Sequence, residues 1–499
     1  MVQRDLDILI IGAGLSGIGA ACHLSRQCRG MRYAIIERRS RIGGTWDLFR
    51  YPGIRSDSDM FTLGYNFRPW TDTKMLADGP AIRSYIENTA NEYGVNKHIQ
   101  FGLKVIACDW NSETCLWTVR ATNENGETEI FTAKFLLNCT GYYNYDAGYT
   151  PEIPGLKDFV GDVIHPQHWP ENYDYSGKRV LVIGSGATAV TLVPAMTDRA
   201  AHVTMLQRSP TYVATVPEQD LISRNLRRFL PEMVVYRMAR TRNILLQRTV
   251  FNLSINKPKA VRRLLLAAAR KQLGPDFDMK HFQPHYNPWE ERMCAVPKGD
   301  LFKVLREGKA SVITDHIDTA TKTGVTLKSG KHLDADIIIT ATGLDLQMFG
   351  GAALSVDGKP IQVNEKMMYK GLMLEGVPNM ALVFGYTNSS WTLKADIASE
   401  FVCRLLNHMR DIRADKVVPI DRENCGTDLD FLNLRSGYIK RANGCLPRQG
   451  NKAPWQNLND YLRDLPALRY GNLNDGYLQF EGNHITRNKR GLLRGLMGT

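Results

Sequence analysis

Apolar and polar positions near the start of the chain predict a strand, a tight turn and a helix in immediate succession. The apolar residues between Asp5 and Ile11 predict a buried strand, Gly12 to Gly17 form a G-x-G-x-x-G turn, and an Ala-rich helix follows through Ser25. A second strand, Arg32 to Ile36, ends at Glu37. This order is typical of a dinucleotide-binding unit, in which a phosphate group meets backbone N–H groups at the start of a helix.

Polar groups around this first turn indicate which dinucleotide it binds. A carboxylate at the tip of the second strand, here Glu37, accepts hydrogen bonds from a free ribose 2′-hydroxyl and repels a 2′-phosphate, which favours FAD or NAD. The loop from Arg41 to Trp46 follows, and it contains the pair Gly43-Gly44, a threonine and an indole. Such a loop suits close contact with a diphosphate and an aromatic ring system, and this favours FAD.

The same order of elements returns later in the chain. Lys178 to Ile183 predicts a strand, Gly184 to Ala189 a second glycine-rich turn, and Val190 to Met196 a helix. Ala189 replaces the third glycine, which the pattern tolerates because this position serves the packing of helix on strand. The chain therefore contains two turns of the kind that bind a dinucleotide.

The residues at the following strand end differ between the two units. The strand from His202 to Leu206 leads into Gln207, Arg208 and Ser209, at the position that Glu37 occupies in the first unit. An arginine and a hydroxyl bind a 2′-phosphate through charge-assisted hydrogen bonds. The second turn therefore predicts NADPH as its ligand.

Two further strands have the same ending and are interpreted as the closing strands of the two units. Phe135 to Cys139 leads into Thr140-Gly141, and Asp336 to Thr340 leads into Ala341-Thr342-Gly343. The predicted fold class is α/β, with two Rossmann-like dinucleotide-binding domains, and the NADPH domain interrupts the FAD domain. The expected limits are residues 1–150 and 344–499 for the FAD-binding domain, 151–215 and 290–343 for the NADPH-binding domain, and 216–289 for a basic helical insertion.

Cysteine usage and hydropathy indicate the compartment. The nine cysteines form no Cys-x-x-Cys pair, and no cleavable signal precedes the first strand. A disulfide reductase, which needs a redox-active cysteine pair, is therefore disfavoured. The apolar stretches are shorter than the roughly 20 residues of a transmembrane helix. We expect a cytoplasmic protein, with peripheral membrane association left open.

Basic residues are concentrated in one segment. Residues 221–273 hold thirteen Arg or Lys side chains against the single acid Glu232, which equals the net charge of +12 of the whole chain. Lys259 to Leu273 places apolar residues on one side of a predicted helix. Two interpretations remain open: a solvated helical cap over the substrate pocket, or a basic amphipathic surface that makes weak contact with anionic membrane. A nucleic acid partner is not expected, because the charge is local.

A further motif precedes the second unit. Phe159, Gly161, His165, Trp169 and Pro170 fit the pattern F-x-G-x-x-x-H-x-x-x-W-P without a mismatch. By themselves the histidines are packing or capping residues, and no metal is expected because no acid or cysteine stands beside them. With the two turns, this motif identifies a resemblance to the type I Baeyer–Villiger flavin monooxygenases, and most closely to their ethionamide-activating branch. The resemblance covers nearly the whole chain.

The resemblance implies a reaction as well as a fold. NADPH reduces FAD, the reduced flavin takes up molecular oxygen as a peroxide at carbon 4a, and this attacks the carbonyl of a small lipophilic ketone to give an ester or lactone. Oxidation of organosulfur compounds, thioethers and thioamides, is the implied side activity. The alternative is an N- or S-oxygenating flavin-containing monooxygenase, which usually has another aromatic residue at the position of Trp169.

The resemblance also implies catalytic residues. Arg292 aligns with the family's catalytic arginine, and only arginine offers a permanent cation that gives up no proton to an oxyanion. Tyr286 and Trp289 are expected to shield it. Asp57 fits the family's acid that orients this arginine, with Asp59 as the nearby alternative.

The remaining expectations concern the cofactors. A helix that opens at Ser389 to Thr392 is expected to point its N-terminus at the flavin. The residues expected to bind FAD are Gly12, Gly14, Ser16, Gly17, Glu37, Gly44, Thr45, Trp46, Asp57 and Val105. The residues expected to bind NADP are Arg55, Gly184, Ser185, Gly186, Ala187, Thr188, Ala189, Arg208 and Ser209.

Overall fold

The computed structural model describes residues 2–291, 293–426, 429–432 and 437–482. Its first elements include the predicted strand, turn and helix, with the strand beginning earlier than expected. In chain order they are β1 (Val2–Ile11), α1 (Leu15–Gln27), β2 (Tyr33–Ile36), α2 (Thr45–Leu48), α3 (Met60–Leu63), α4 (Gly79–Glu92), β3 (Ile99–Gln100), β4 (Lys104–Asn111), β5 (Leu116–Thr122), β6 (Thr128–Asn138) and β7 (Tyr143–Gly148). β1 lies between β2 and β6 and is parallel to both.

The second unit begins with a strand that belongs to the F-x-G-x-x-x-H motif. Its elements before the insertion are β8 (Asp162–Ile164), β9 (Arg179–Ile183), α5 (Ala187–Met196), β10 (His202–Gln207) and β11 (Val213–Val216). The predicted helix starts three residues earlier than the sequence indicated, at Ala187, because the glycine-rich turn ends at its N-cap Gly186.

Three helices form the insertion, and the second unit then resumes. The helices are α6 (Leu221–Leu226), α7 (Glu232–Asn256) and α8 (Pro258–Leu273). The elements that follow are β12 (Cys294–Pro297), α9 (Asp300–Arg306), β13 (Ala310–Thr314), β14 (Ile317–Thr321), β15 (Gly324–Leu327), β16 (His332–Asp334) and β17 (Ile337–Thr340). β11 pairs with β12, so the insertion leaves and rejoins the second unit at one two-stranded ribbon. The main sheet of this unit is wholly parallel, in the order β13-β10-β9-β17-β8.

The chain then returns to the first sheet. The remaining elements are β18 (Leu344–Leu346), β19 (Ala353–Val356), β20 (Lys359–Pro360), β21 (Met368–Tyr369), β22 (Met373–Leu374), β23 (Met380–Leu382), α10 (Trp391–Asp411), β24 (Lys416–Pro419), β25 (Leu429–Asp430), α11 (Gly437–Arg441), β26 (Arg448–Gln449), α12 (Tyr461–Arg469) and β27 (Leu478–Glu481). The order of the first sheet is β20-β19-β4-β5-β6-β1-β2-β3, with β23 also paired with β6. One α/β unit therefore interrupts another.

The insertion packs against both units. Tyr236 and Ala239 of α7 are buried in the core of the first unit, whereas Ala269 and Leu273 of α8 are buried in the core of the second. Arg240 is buried too, and its guanidinium donates to the carbonyl oxygens of residues 61, 62 and 64. Among the described residues, no helix combines the length and the apolar character needed to cross a membrane.

Candidate functional site

One cavity of about 490 Å³ lies where the two glycine-rich turns approach each other. The residues predicted to bind FAD that line it are Gly12, Gly14, Ser16, Glu37, Gly44, Thr45, Trp46, Asp57 and Val105. The residues predicted to bind NADP that line it are Arg55, Ser185, Gly186, Ala187, Thr188 and Ser209. The four predicted residues that stand outside its wall are Gly17, Gly184, Ala189 and Arg208. The fold thus joins two turns that lie 172 residues apart, counted from Gly12 to Gly184, at one space.

The first turn has the geometry of a phosphate cradle. Helix α1 begins at Leu15, and no side chain caps its N-terminus, which faces the cavity through Gly14 and Ser16. Gly12 has φ of +103°, and a Cβ there would lie 2.7 Å from the carbonyl oxygen of Cys139. A Cβ on Gly17 would lie 1.8 Å from the carbonyl oxygen of Gly12, so Gly17 serves the packing behind the turn. Free backbone N–H groups at a helix start fit a diphosphate.

Glu37 ends β2 as an almost fully buried carboxylate at the cavity. Its Oε2 accepts from the backbone N–H of Ala13 at 2.7 Å, and its Oε1 accepts from that of Arg39 at 2.9 Å. Burial raises the pKa of Glu37, and the two backbone donors oppose this rise. A carboxylate oxygen has more than one acceptor site, so the side chain that lines the cavity still has capacity for ribose hydroxyls. This arrangement fits the adenosine end of FAD.

The second glycine-rich turn has the same geometry as the first, but different residues follow the neighbouring strand. Gly184 has φ of +141°, and a Cβ there would lie 2.2 Å from the carbonyl oxygen of Ala341. Helix α5 has no side-chain cap at Gly186. Gln207 is turned inward and donates to the carbonyl oxygen of residue 281 and to a threonine hydroxyl at 2.7 and 2.9 Å. Arg208 is exposed, and the carbonyl oxygen of Ser209 accepts from the Ser185 hydroxyl at 3.0 Å.

The two candidate acids of the loop after residue 50 have different environments. Asp59 is buried and caps α3, where its carboxylate accepts from the backbone N–H and hydroxyl of Thr62 at 3.2 and 2.8 Å. It also accepts from the side-chain amides of Asn243 and Gln247, each at 2.8 Å. Asp57 is exposed and lines the cavity. Asp59 therefore joins the insertion to the first unit, and Asp57 is the acid that faces the candidate site.

Arg55 has a partner that the sequence did not reveal. It lines the cavity, and its guanidinium lies 2.7 Å from the carboxylate of Asp300. Asp300 begins α9 in the second unit, 245 residues away. This ion pair joins the loop of the first unit to the second unit beside the second turn. No local pattern connects the two residues, so only the folded chain identifies the pair.

Arg292, the predicted catalytic cation, lies outside the described residues. Glu291 and Met293 on either side of it line the cavity, and so does Tyr286. The Tyr286 hydroxyl donates to the Thr211 hydroxyl at 3.1 Å, and burial raises the pKa of Tyr286 to about 12. A phenol with this pKa stays protonated at neutral pH.

The other aromatic residue of this loop has a different place. The ring of Trp289 packs edge-on against that of Phe251 in α7, with centroids 5.5 Å apart, and Trp289 stands outside the cavity wall. Of the two aromatic side chains expected to shield the cation, Tyr286 therefore reaches the cavity and Trp289 packs against α7.

The F-x-G-x-x-x-H-x-x-x-W-P motif lies at the connections between the units and outside the cavity wall. β7 and β18 pair there as an antiparallel ribbon. His165 Nδ1 accepts from the backbone N–H of Gln167, and Nε2 lies 3.2 Å from the carbonyl oxygen of Gly343. Because a carbonyl oxygen only accepts, Nε2 carries the proton and the imidazole is neutral. Burial lowers the pKa of His165, in agreement with this state.

The other motif residues pack the second unit. Phe159 is buried among the residues of a small core beside β9 and β17. A Cβ on Gly161 would lie 2.2 Å from the carbonyl oxygen of Asp336. The rings of Trp169 and Tyr173 meet edge to face at 6.0 Å, and Pro170 is exposed. The motif residues therefore pack the second unit and its connections to the first unit. The sequence pattern did not indicate this structural role.

The N-terminus of α10 reaches the cavity. Ser389 and Trp391 line it, while the Ser390 hydroxyl contacts the Thr62 hydroxyl at 2.6 Å and does not cap the helix. The indole N–H of Trp391 donates to the Ser16 hydroxyl at 2.7 Å. Neither this contact nor the stacking of Trp391 on Tyr142 at 5.4 Å was predicted from the sequence. Tyr142 directly follows Thr140-Gly141 at the end of a predicted strand. This position was the one signal in the sequence that could have pointed to Tyr142.

Comparison with known proteins places the chain in a family. Residues 5–383 match the family model described as flavin-binding monooxygenase-like. A putative FAD-containing monooxygenase, MymA of Mycobacterium tuberculosis, is 55% identical over 485 residues, which are 96% of this chain and 98% of the relative. The FAD-containing monooxygenase EthA of the same species is 52% identical over 484 residues, again 96% and 98% of the two chains.

Solved structures share the fold at lower identity. OTEMO in complex with FAD and NADP superposes with a TM-score of 0.75 at 21% identity, covering 95% of this chain and 99% of that one. Cyclohexanone monooxygenase superposes with a TM-score of 0.75 at 21% identity, covering 96% and 99%. These matches confirm the predicted α/β fold with its two nucleotide-binding units.

Proposed function

We propose that this chain, which belongs to the flavin-binding monooxygenase-like family, is a Baeyer–Villiger monooxygenase. A ketone, O₂, NADPH and a proton would give an ester or lactone, NADP⁺ and water, so that one oxygen atom enters the product and two electrons from NADPH reduce the other. The observation that carries this proposal is the single cavity lined by both glycine-rich turns. Two dinucleotides bound at those turns meet in one space, as transfer of a hydride between them requires.

The residues of the first turn would hold FAD. The start of α1 offers backbone N–H groups to the diphosphate, and Glu37 offers acceptors to the ribose. Thr45 and Trp46 line the cavity beside Gly44, and Trp391 fixes the Ser16 hydroxyl. FAD, when bound, supplies the oxygen-activating chemistry that no amino acid side chain has. The relatives named as FAD-containing monooxygenases support this cofactor.

The residues of the second turn would hold NADPH. The start of α5 meets the diphosphate, and Arg208 with Ser209 would bind the 2′-phosphate. Arg55, held by Asp300, adds a cation between the two nucleotides. A solved structural neighbour described as a complex with FAD and NADP supports the pair of cofactors.

Arg292 and Asp57 would serve the oxygen-transfer step. We assign Arg292 to the stabilisation of the oxyanion that forms on the substrate carbonyl oxygen, because its positive charge is permanent. Asp57 would orient this arginine. Asp57 and the two neighbours of Arg292, Glu291 and Met293, all line the same cavity, which supports the assignment.

The substrate would be a small lipophilic ketone, with organosulfur compounds as further substrates. Apolar side chains of Ile54, Leu63, Phe49 and Val190 line the cavity together with the polar groups. Solved structural neighbours are named as cyclohexanone and steroid monooxygenases, which supports a ketone. The alternative, an N- or S-oxygenating flavin monooxygenase, would use the same cofactors and differ in product.

Two measurements, made one after the other, test the proposal. The purified protein should be yellow with FAD absorbance, and anaerobic NADPH should bleach it. Product analysis with linear, cyclic and aryl ketones, thioethers and amines should then find esters or lactones in an NADPH- and O₂-dependent manner. Sulfoxides or N-oxides without any ester would favour the N- or S-oxygenating monooxygenase. A protein that binds no flavin would contradict both proposed functions.

Domain limits and location are part of the proposal. We assign residues 1–150 and 344–499 to FAD binding, 151–215 and 290–343 to NADPH binding, and 216–289 to the insertion; the β7–β18 ribbon at the crossings supports these limits. All nine cysteines are free thiols, which suits a reducing cytoplasm. Residues 221–273 would add a weak contact with anionic membrane, and liposome sedimentation tests this.

A further inference from the structure

Exposed apolar side chains are concentrated on the insertion. Among the described residues, seventeen large apolar side chains are exposed, and eleven of them fall between Leu221 and Leu264. Phe229 is 84% exposed, and Leu264 is 71% exposed. Single exposed apolar residues are ordinary, but a cluster on one element marks an interaction surface. The cluster coincides with the most basic segment of the chain.

Helix α7 carries seven of these side chains, and three of them, Val234, Met238 and Leu245, lie on the face opposite to its buried one. Val234, Met238, Thr241 and Leu245 follow one another at spacings of four, three and four residues, which is one side of a helix. Met238 is 48% exposed, and Leu245 is 50% exposed. The opposite side holds Tyr236, Ala239, Arg240 and Asn243, all buried against the first unit. The outward side of α7, with Val234, Met238, Thr241 and Leu245, is called the docking face below.

Two basic side chains border the docking face, and others are exposed elsewhere on residues 221–273. Arg237, Met238, Thr241, Arg242 and Leu245 border a shallow surface depression on it. Of the thirteen basic residues between 221 and 273, eight are exposed: Arg224, Arg228, Arg237, Lys257, Lys259, Arg263, Arg270 and Lys271. The only acid of the segment, Glu232, pairs with Arg227. Arg242 pairs with Asp220, and the eight exposed basic side chains leave residues 221–273 with an excess of positive charge beside their apolar groups.

The helical segment 221–273 is not a wall of the cavity. Every residue from 221 to 273 is described, and none of them lines the cavity. The interpretation of this segment as a cap over the pocket therefore does not account for its apolar surface. Its buried face accounts for packing against both units and leaves the docking face unexplained.

We infer that the docking face and the exposed basic side chains of residues 221–273 bind the surface of an anionic phospholipid bilayer. Charge complementarity selects this partner: phosphate headgroups meet the basic field while the apolar side chains enter the acyl boundary. A second copy of the chain would oppose one basic surface to another, and the two would repel. At 25 residues, α7 is about 37 Å long and extends along the membrane plane.

The inner side of α7 links this surface to the cavity. Asn243 and Gln247 bind Asp59, the cap of α3. Ser58, just before that helix, and Leu63, its last residue, line the cavity. Docking would thus hold the site close to the bilayer, where lipophilic ketones concentrate; this last step rests on the proposed function, while the docking itself does not.

Vesicle sedimentation with the FAD-loaded full chain tests the docking. Vesicles of phosphatidylglycerol and phosphatidylcholine should bind the protein at low salt and release it at high salt, because salt screens the charges. Vesicles of pure phosphatidylcholine should bind it far less. Lack of binding to phosphatidylglycerol vesicles at low salt overturns the inference.

Two sets of variants locate the contact. The double substitution Met238→Asp and Leu245→Asp should weaken vesicle binding by about tenfold or more, because it removes the inserted apolar groups. Its matched control is Val160→Asp, at a site that is 80% exposed but outside the insertion. Unchanged binding by the double variant, or an equal loss in the control, overturns the assignment to the docking face.

The second set reverses charge. Glutamate at Arg237, Lys259 and Arg263 should weaken binding by about tenfold or more, whereas glutamate at the exposed Lys328, Lys331 and Lys359 should have a much smaller effect. Equal effects of the two sets would show a response to net charge alone and overturn the inference.

A separate readout keeps the docking distinct from the reaction. Without vesicles, all docking-face variants should bleach with NADPH and oxidise a water-soluble ketone as the parent does, since none of these residues lines the cavity. Vesicle binding without any ester formation would refute the proposed function and leave the docking intact. Ester formation without vesicle binding would refute the docking alone.

Discussion

His165 holds the two connections between the units together, with its Nε2 at 3.2 Å from the carbonyl oxygen of Gly343. A Cβ on Gly148, at the end of the outgoing connection, would lie 1.9 Å from the His165 ring. The imidazole thus packs on the strand that leaves the first unit and bonds to the residue at which the chain returns. The protonation state of His165 therefore affects the contact between the two connections that join the units.

Stability should fall as the pH is lowered, because of this histidine. Burial lowers the pKa of His165 from the ordinary 6.5 in the folded chain. As pH falls through the unfolded value, the unfolded chain binds a proton that the folded chain does not, so unfolding is favoured. As far as His165 contributes, stability should therefore fall as the pH drops through about 6.5 and stay level at higher pH.

Thermal unfolding of His165→Gln measures this contribution. Glutamine offers one acceptor and one donor without a titrating group, so the melting temperature should depend less on pH than in the parent. The matched control is His168→Gln, since His168 is exposed in the same motif. An unchanged pH slope for His165→Gln would exclude His165 as its source.

Asp57→Ala and Asp59→Ala should separate catalysis from stability. Asp59→Ala removes the cap of α3 and leaves the side-chain amides of Asn243 and Gln247 without their acceptor. This loss should lower the free energy of unfolding by about 2 kcal/mol or more. Asp57→Ala should leave the melting temperature near that of the parent and reduce ester formation. Steady-state kinetics and thermal melts on both variants check this, and the reverse pattern would move the functional role to Asp59.

Arg208→Ala should weaken NADPH binding selectively. Charge-assisted hydrogen bonds contribute about 1.5 to 3 kcal/mol, so KM for NADPH should rise by about tenfold to a hundredfold with a much smaller change in kcat. KM for NADH should change little, because NADH has no 2′-phosphate. Arg199→Ala, at another exposed arginine of the same unit, is the control. Parallel rises for both nucleotides would place Arg208 away from the 2′-phosphate.

Glu37→Ala should reduce retention of FAD. The substitution removes the predicted ribose acceptor and leaves the backbone N–H groups of Ala13 and Arg39 without theirs. Each buried donor left unpaired costs about 1 to 3 kcal/mol. The ratio of flavin to protein absorbance after gel filtration should fall, and Glu37→Gln, which keeps one acceptor oxygen, should fall less. Full flavin content in Glu37→Ala would contradict the assignment.

Arg292→Ala should uncouple cofactor reduction from product formation. NADPH should still bleach the flavin, because this step needs only the two bound nucleotides, while ester formation should be lost. Arg292→Lys should restore little of the ester formation, since a lysine offers a point charge without the planar pair of donors. Anaerobic reduction and product analysis check both steps. Ester formation at the parental rate in Arg292→Ala would remove Arg292 from the mechanism.

Short-range pattern was enough to predict much of this protein. Each glycine-rich turn lies within one strand–turn–helix segment, and the contrast between Glu37 and Arg208 requires only the residue at a strand end. The basic character of residues 221–273 is likewise a local property of the sequence. Local backbone geometry and charge determine these features, and both are fixed by neighbouring residues.

Tertiary structure alone decided which residues meet. The pairs Arg55 with Asp300 and Trp391 with Ser16 join residues 245 and 375 positions apart. Asp57 and Asp59 are two residues apart in the sequence, and only packing sends one to the cavity and the other to the cap of α3. Such contacts depend on how helices and sheets pack across the core, and spacing along the chain does not encode that arrangement.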